Sequence, residues 1–446
     1  MSLRICIRPP SPATPSMHRL VGGLLLALAS IGHADTRASA IETFKSLHEA
    51  LASDKKKADW HAFLADARRL KAFLNDSPTS GLEVARAQLE LGQPESALLE
   101  TRRFLAMGQT NAILSTPLFE PLRRTIDAQL KTNMSPASLA AHSFQISDAA
   151  SLPEDIDYDA QSKRFFISSV VRQRVLTRDR GSLDGAGPEQ TFADAPDHWP
   201  ILALKVDAKR RRLWATEVAV EGFTVVPAAD WGRSAVLEYD LDRGTLLARH
   251  EGPRHSGLSD MVLTENGEPI ISDSTGGGIY RLHGNELVRI DHGDFISPQT
   301  IAICDGGRQA FVPDYVRGIA AFDLETGSVR WLSTGDRYAL DGIDGLYCHD
   351  HSLIAIQNGA APERVVAFFL DASRLTIVGE KVIERATATL GDPTHGVFAA
   401  GSFFYIANSG WNGIDEHGVE KAGANPDKPR IMQVDAAAVT AKRIDR

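Results

Sequence analysis

Residues 342–359 read GIDGLYCHDHSLIAIQNG. An apolar run from Gly345 to Cys348 meets a polar turn at His349–His351. A second apolar run, Leu353–Ile356, then ends at an amide and a glycine. Two short runs separated by turn residues predict a strand–turn–strand hairpin. The same order recurs outward in both directions: PEDIDYDAQSKRFFISS (153–169), PILALKVDAKRRRLWATE (200–217), GLSDMVLTENGEPIISDS (257–274), SPQTIAICDGGRQAFVPDY (297–315) and PTHGVFAAGSFFYIANS (393–409). Six such units, spaced by roughly forty to sixty residues, predict a mainly β fold, a six-bladed β-propeller. Outer strands follow as SAVLEYDLD, GIYRLHG, GIAAFDLETG and RVVAFFLDA, each closed by an Asp/Gly-type turn. An open blade edge would be a pairing hazard. Ser143–Ile146 stands alone before the first unit and is expected to join Arg430–Val434 in the sixth blade.

Upstream of the repeats the periodicity becomes helical. Ile41, Phe44, Leu47, His48 and Leu51 share one face, and Trp60, Phe63, Leu64, Ala67 and Leu70 share another. The stretch LEVARAQLELGQPESALLETRRFLAMG (82–108) predicts two helices joined at Gly92-Gln93-Pro94, with Pro94 in the first helical turn. It resembles one tetratricopeptide repeat, with Ala85, Gly92 and Ala97 where helices would cross closely. An unrelated small bundle is the other reading. PLFEPLRRTIDAQL (117–130) predicts a further helix, and Asn133–Ser138 a polar linker. The expected division is a leader over 1–34, a helical domain over 35–133 and the propeller over 140–446.

The leader reads as a secretory signal. His18 and Arg19 precede an apolar stretch, Leu20–Ile31, too short to span a bilayer, and Gly32-His33-Ala34 offers small residues for cleavage. Met17 is the expected start, and the expected location is periplasmic or secreted. The 446 residues carry a net charge of −9. Loss of Arg4, Arg8 and Arg19 with the leader makes the mature chain more acidic still, which disfavours nucleic acid as a partner. Cys304 and Cys348 both end first strands of successive units. Such strands are neighbours around the axis that do not pair, so two buried small residues are preferred over a disulfide. CxxC and HExxH spacings are absent, so a zinc site has no support.

A propeller converges equivalent positions on one channel. The residues opening each first strand are Glu154, Trp199 with Pro200, Asp260, Gln299, Asp344 and His395. Those ending each second strand are Ser168, Glu217, Asp273, Asp314, Asn358 and Asn408. Both rings are expected at one face, with the turns at Asp305-Gly306 and Glu265-Asn266-Gly267 at the other. Clustered carboxylates repel by roughly 1–4 kcal/mol per pair. A hard cation such as Ca²⁺ or Mg²⁺ relieves this, and so does a solvated acidic funnel. His395 is a proton carrier or a structural residue. The Gly276-Gly277-Gly278 run joins two strands and reads as a tight turn, not a phosphate cradle. Ser168, Ser274 and Ser409 lack a GxSxG context. The insertion Val218–Arg233, with Phe223 and Trp231, predicts a flap over one face or a loop packed outside.

At these residues the chain resembles the senescence-marker-protein/gluconolactonase/luciferin-regenerating-enzyme-like family of six-bladed propellers, over about Ser143 to Asp435. The resemblance implies a divalent metal, often Ca²⁺, at the channel mouth, held by a Glu opening the first blade (Glu154) and an Asp opening the fifth (Asp344). The family's Asn opening the fourth blade falls on Gln299, which keeps the amide oxygen but adds a methylene. A further family Asn, in the third blade, falls on Asp260. The resemblance implies hydrolysis of a neutral lactone or related ester, with Asp344 or Asp260 as ligand or base and His395 as auxiliary acid or base. A reading from another class is a non-catalytic binding or scaffold propeller whose helical domain docks a protein.

Overall fold

The structure is a computed structural model. It describes residues 38–182, 188–304, 307–423 and 427–440. The leader and the Asp305-Gly306 turn lie outside the described residues.

The strands form six antiparallel sheets, one per repeat. Blade 1 runs Pro153–Asp159, Arg164–Ser169, Arg174–Asp179 and Gln190–Asp194, each strand paired to the next. The second strand reads RFFISS because both sides of a blade are covered. Phe165 and Ile167 pack with Phe144, Phe404 and Ile406 of blade 6, while Phe166 packs with Leu204, Leu213 and Ala215 of blade 2. Period-two alternation thus sends successive apolar side chains to opposite neighbours. Closure occurs as the sequence predicts. Ala141–Gln145 pairs with Arg430–Asp435 as the fourth strand of blade 6, with Phe144 opposite Ile431 and Gln145 opposite Arg430. Asn133–Ser138 is not a plain linker. Asn133 is buried and donates to Leu105 O and Gln109 O, and Ala137–Ser138 adds a fifth strand to blade 5.

Among the described residues, five α-helices precede the blades: α1 (Ala40–Lys57), α2 (Trp60–Phe73), α3 (Pro78–Glu90), α4 (Pro94–Ala106) and α5 (Arg123–Asn133). A capping box starts α1, with Ser39 Oγ accepting from Glu42 N at 3.3 Å and Glu42 Oε2 accepting from Ser39 N at 2.9 Å. Ala85 and Ala97 are fully buried between helices, whereas Gly92 serves the turn at φ 71°. The apolar face of α1–α3 (Phe44, Leu47, Phe63, Leu70, Val84) closes on Ile296, with Val316 packed against it. Arg103 pairs with Asp336 at 2.9 Å, and Arg364 Nη1 donates to Met107 O at 3.2 Å. Ile296, Val316 and Asp336 belong to loops and Arg364 opens a strand, all at one end of blades 4 and 5, so the helices sit on that end.

The insertion Val218–Arg233 lies at the same end, over blades 1, 2 and 6. Phe223, Val220 and Val226 pack with Leu152, Trp199 and Trp411, and Thr224 N donates to His417 O at 2.9 Å. It is the flap of the two alternatives. The cysteine expectation is corrected: Cys304 and Cys348 form a disulfide, their Cα atoms 5.5 Å apart. Inner strands of neighbouring blades share no ladder, but they converge on the axis, and convergence alone brings two side chains within bonding reach.

Candidate functional site

The inner strands deliver three of the expected residues to one point. One ligand atom from each of Glu154, Asp344 and His395 lies within 4.8 Å of the others, and all three residues are buried. Asp260 joins through His395, whose Nε2 meets Asp260 Oδ1. The remaining ring nitrogen, Nδ1, faces the Glu154 backbone carbonyl at 2.6 Å. A carbonyl only accepts, so Nδ1 carries a proton. Thr300 Oγ1 also donates to Asp260 Oδ1, at 2.6 Å. Trp411 Nε1 donates to Glu154 Oε2 at 2.5 Å, and Asn358 Nδ2 donates to Asp344 Oδ2 at 2.7 Å.

The electrostatics are unbalanced. Burial, and then the charge of Asp344, push the Glu154 carboxyl up to about 8. Burial alone would lower the His395 imidazole, but the charges of Asp260 and Asp155 raise it well above its ordinary range. Burial works against Asp260 too, yet the His395 charge and hydrogen bond hold it below the usual carboxylate range. His395 is therefore an imidazolium bonded to a carboxylate, with both nitrogens engaged, rather than a ring offering a lone pair. Its positive charge is bonded to Asp260, while the charge of Asp344 bears on Glu154.

Gln299 is buried, and its amide nitrogen donates to Ser297 Oγ at 2.9 Å and Ser297 O at 3.2 Å. The amide oxygen is the end a cation would use. Among the described residues Glu154 and Asp344 stand together as hard oxygen donors, with Asp260 bonded to the His395 beside them, which fits a divalent ion of the Ca²⁺ or Mg²⁺ type.

Other ring positions have different duties. Asp273 Oδ1 accepts from Gly257 N, Thr275 N and Gly276 N. Asp314 accepts from Ile296 N, Ser297 N, Val316 N and Arg317 N. These are carboxylates capping loops, so the outer ring is not a second ligand shell. Asn408 accepts from Gly410 N, Ser168 Oγ accepts from Asp155 N, and Glu217 pairs with Arg249 at 2.9 Å. Trp199 packs in the flap cluster, with the guanidinium groups of Arg233 and Arg249 over its ring at 5.0 and 5.5 Å. Gly276–Gly278 is a turn, as expected, with Gly277 at φ 66°.

Sequence reasoning missed Lys205. Its ammonium donates to Asp155 Oδ2 at 2.6 Å and to Leu204 O at 2.8 Å, further along the inner strands. Burial works against the charge, but Asp155 and Asp157 raise the Lys205 pKa. The available signal was a lone charge inside the apolar run ILALKV. Trp411 was also missed, and only its position after the sixth unit could have flagged it.

No family model matches the chain, and no curated protein matches it. Among solved structures, its fold is similar to a calcium-binding regucalcin from Agrobacterium tumefaciens (14% identity, TM-score 0.46, covering 67% of this chain and 95% of that one). It is also similar to a gluconolactonase from Xanthomonas campestris (18% identity, TM-score 0.43, covering 67% and 98%). A third likeness is to virginiamycin B lyase from Staphylococcus aureus (10% identity, TM-score 0.44, covering 66% and 98%). At these identities the likeness is one of fold.

Proposed function

We propose that this protein is an exported, metal-dependent hydrolase of a lactone or related ester, working at the helix-covered mouth of the channel. The observation that carries the reading is the buried convergence of Glu154, Asp344 and Asp260 around a single imidazolium. Glu154, Asp344, Asp260 and the Gln299 amide would hold the ion, Ca²⁺ being the best match to their hard, mixed-geometry oxygens. Bound there, a divalent cation supplies carbonyl polarisation and a more acidic water.

The chain's own residues account for the rest. Asp260 fixes His395 on one side and the Glu154 carbonyl fixes it on the other, so the ring cannot rotate. An imidazolium so held has both N–H groups committed inside the chain, so His395 acts as a positioning residue that fixes Asp260 and the backbone at Glu154. Trp411 orients Glu154, and the Phe223 flap packs behind Trp411 at 6.2 Å between ring centroids. An apolar flap beside a charged floor suits a neutral, compact substrate.

Export is supported by the Cys304–Cys348 disulfide, which calls for an oxidising compartment. Among the described residues, no helix is long and apolar enough to cross a membrane. The scaffold alternative is weakened because the apolar face of α1–α3 is already spent on the propeller. A protein partner of the helical region would have to use its outer side, where Leu99 is exposed.

The reading is tested on a panel of lactones with the purified mature protein. Glu154→Gln and Asp344→Asn should abolish turnover, and His395→Gln should cost about 10- to 100-fold in kcat. Turnover that survives all three substitutions would refute it.

A further inference from the structure

A run of bonds connects the helical region to the carboxylate cluster. We infer that the turn Asp314–Gly318 positions Asp344 for its cation, with Tyr315 and Asn358 as positioning residues, and that the helices hold this turn in place. The inference rests on the reading of Asp344 as a ligand. Tyr315 Oη donates to Asn358 Oδ1 at 3.0 Å, and Asn358 Nδ2 donates to Asp344 Oδ2 at 2.7 Å. Asn358 is 1% exposed, so its amide has little freedom to turn away. One oxygen of Asp344 is thereby fixed in direction.

The backbone is built around this path. Gly342 N donates to Tyr315 O at 2.7 Å, and Gly359 N donates to Gly342 O at 3.1 Å. A Cβ at Gly359 would lie 2.6 Å from the Tyr315 hydroxyl, and one at Gly342 would lie 2.6 Å from the Gly359 carbonyl carbon. Both positions must stay bare for the tyrosine to reach the amide. The turn is stiff, since Asp314 caps two of its backbone N–H groups, Val316 and Arg317, and ties it to Ile296 N and Ser297 N of the preceding loop.

The helices grip the far side of the same turn. Val316 packs against the α1–α3 cluster. Asn75 Nδ2 donates to Arg317 O at 3.0 Å, and Arg317 Nε donates to Phe73 O at 3.2 Å. The Arg317 guanidinium lies over the Phe73 ring at 4.4 Å. A shift of α2 therefore moves the residues flanking Tyr315, and through Asn358 it moves Asp344. The helical region is a support for the site.

The test is a calorimetric Ca²⁺ titration of the metal-stripped full chain, with a melting curve recorded for every variant. Tyr315→Phe removes a single oxygen, and Asn358→Ala breaks the run at its centre. Each should weaken Ca²⁺ binding about 10-fold or more, as loss of a ligand's hydrogen-bond partner does elsewhere. Asn75→Gly should weaken it by about 3-fold, glycine being the clean replacement because Asn75 sits at φ 52°. Asp336→Ala removes the separate contact to Arg103 and should leave the Kd unchanged. A folded Tyr315→Phe protein with wild-type Kd overturns the inference while leaving the site intact. So does an Asp336→Ala protein weakened as much as Asn75→Gly. A wild-type chain that takes up no Ca²⁺, or one whose Kd ignores Asp344→Asn, overturns the reading of the site and the inference with it.

Discussion

At the mouth of the channel Glu154, Asp344 and Asp260 share one imidazolium, whereas further along the inner strands Asp155 meets the ammonium of Lys205 at 2.6 Å. Both groups are buried carboxylates held by neighbouring blades. The deeper pair is closed: Asp155 also accepts from Ile156 N and Leu204 N, so its oxygens find their partners within the chain. At the mouth the charge of Asp344 instead reaches Glu154 and, with burial, pushes its carboxyl up. Under the proposed function, the mouth is where a metal ion would be held.

The comparison breaks most visibly at its closed half. Lys205→Met leaves Asp155 and Asp157 buried without their cation and should cost about 3–5 kcal/mol in urea denaturation. A loss below about 1 kcal/mol would mean that the deeper layer does not depend on its built-in charge. The next effect concerns the frame that holds both layers. Cys304→Ser opens the link between the inner strands of blades 4 and 5, and denaturation should show a loss of about 2–4 kcal/mol. An equal stability with and without reductant would remove the disulfide from the account.

The smallest effect sharpens the open half. Glu154 has a folded-state pKa of about 8 against an ordinary 4.5. Between those values the folded chain holds a proton that the unfolded chain has released. The metal-free protein should therefore lose stability as pH rises from about 4.5 to about 8, with the contribution intact below that window. Glu154→Gln should flatten the slope and leave the metal-free protein at pH 8 more stable than wild type. Parallel slopes for wild type and Glu154→Gln would contradict the imbalance at the mouth.

Much of this architecture was legible in residue order. Six strand–turn–strand units and the stray strand at Ser143–Ile146 were enough to predict closure, because alternation and turn chemistry are local. The convergence of Glu154, Asp344, Asp260 and His395 followed from equivalent positions around an axis. What escaped were relations between blades. The Cys304–Cys348 bond depends on how near two unpaired inner strands come, which no spacing reports. The Asp155–Lys205 pair crosses from one blade to the next, as does the bond from Trp411 to Glu154. Asp273 and Asp314 misled for the opposite reason: a carboxylate ending a strand looks the same whether it faces a ligand or caps its own loop. Helical periodicity showed that Phe44 and Phe63 needed cover, but not that Ile296 and Val316 would supply it.

The most direct test is the divalent-metal content of the folded, purified protein, counted per chain by elemental analysis alongside Asp344→Asn. The account predicts one hard divalent ion in the wild-type chain and none in the variant. A wild-type protein empty of such ions, or a variant that keeps the same count, would contradict it.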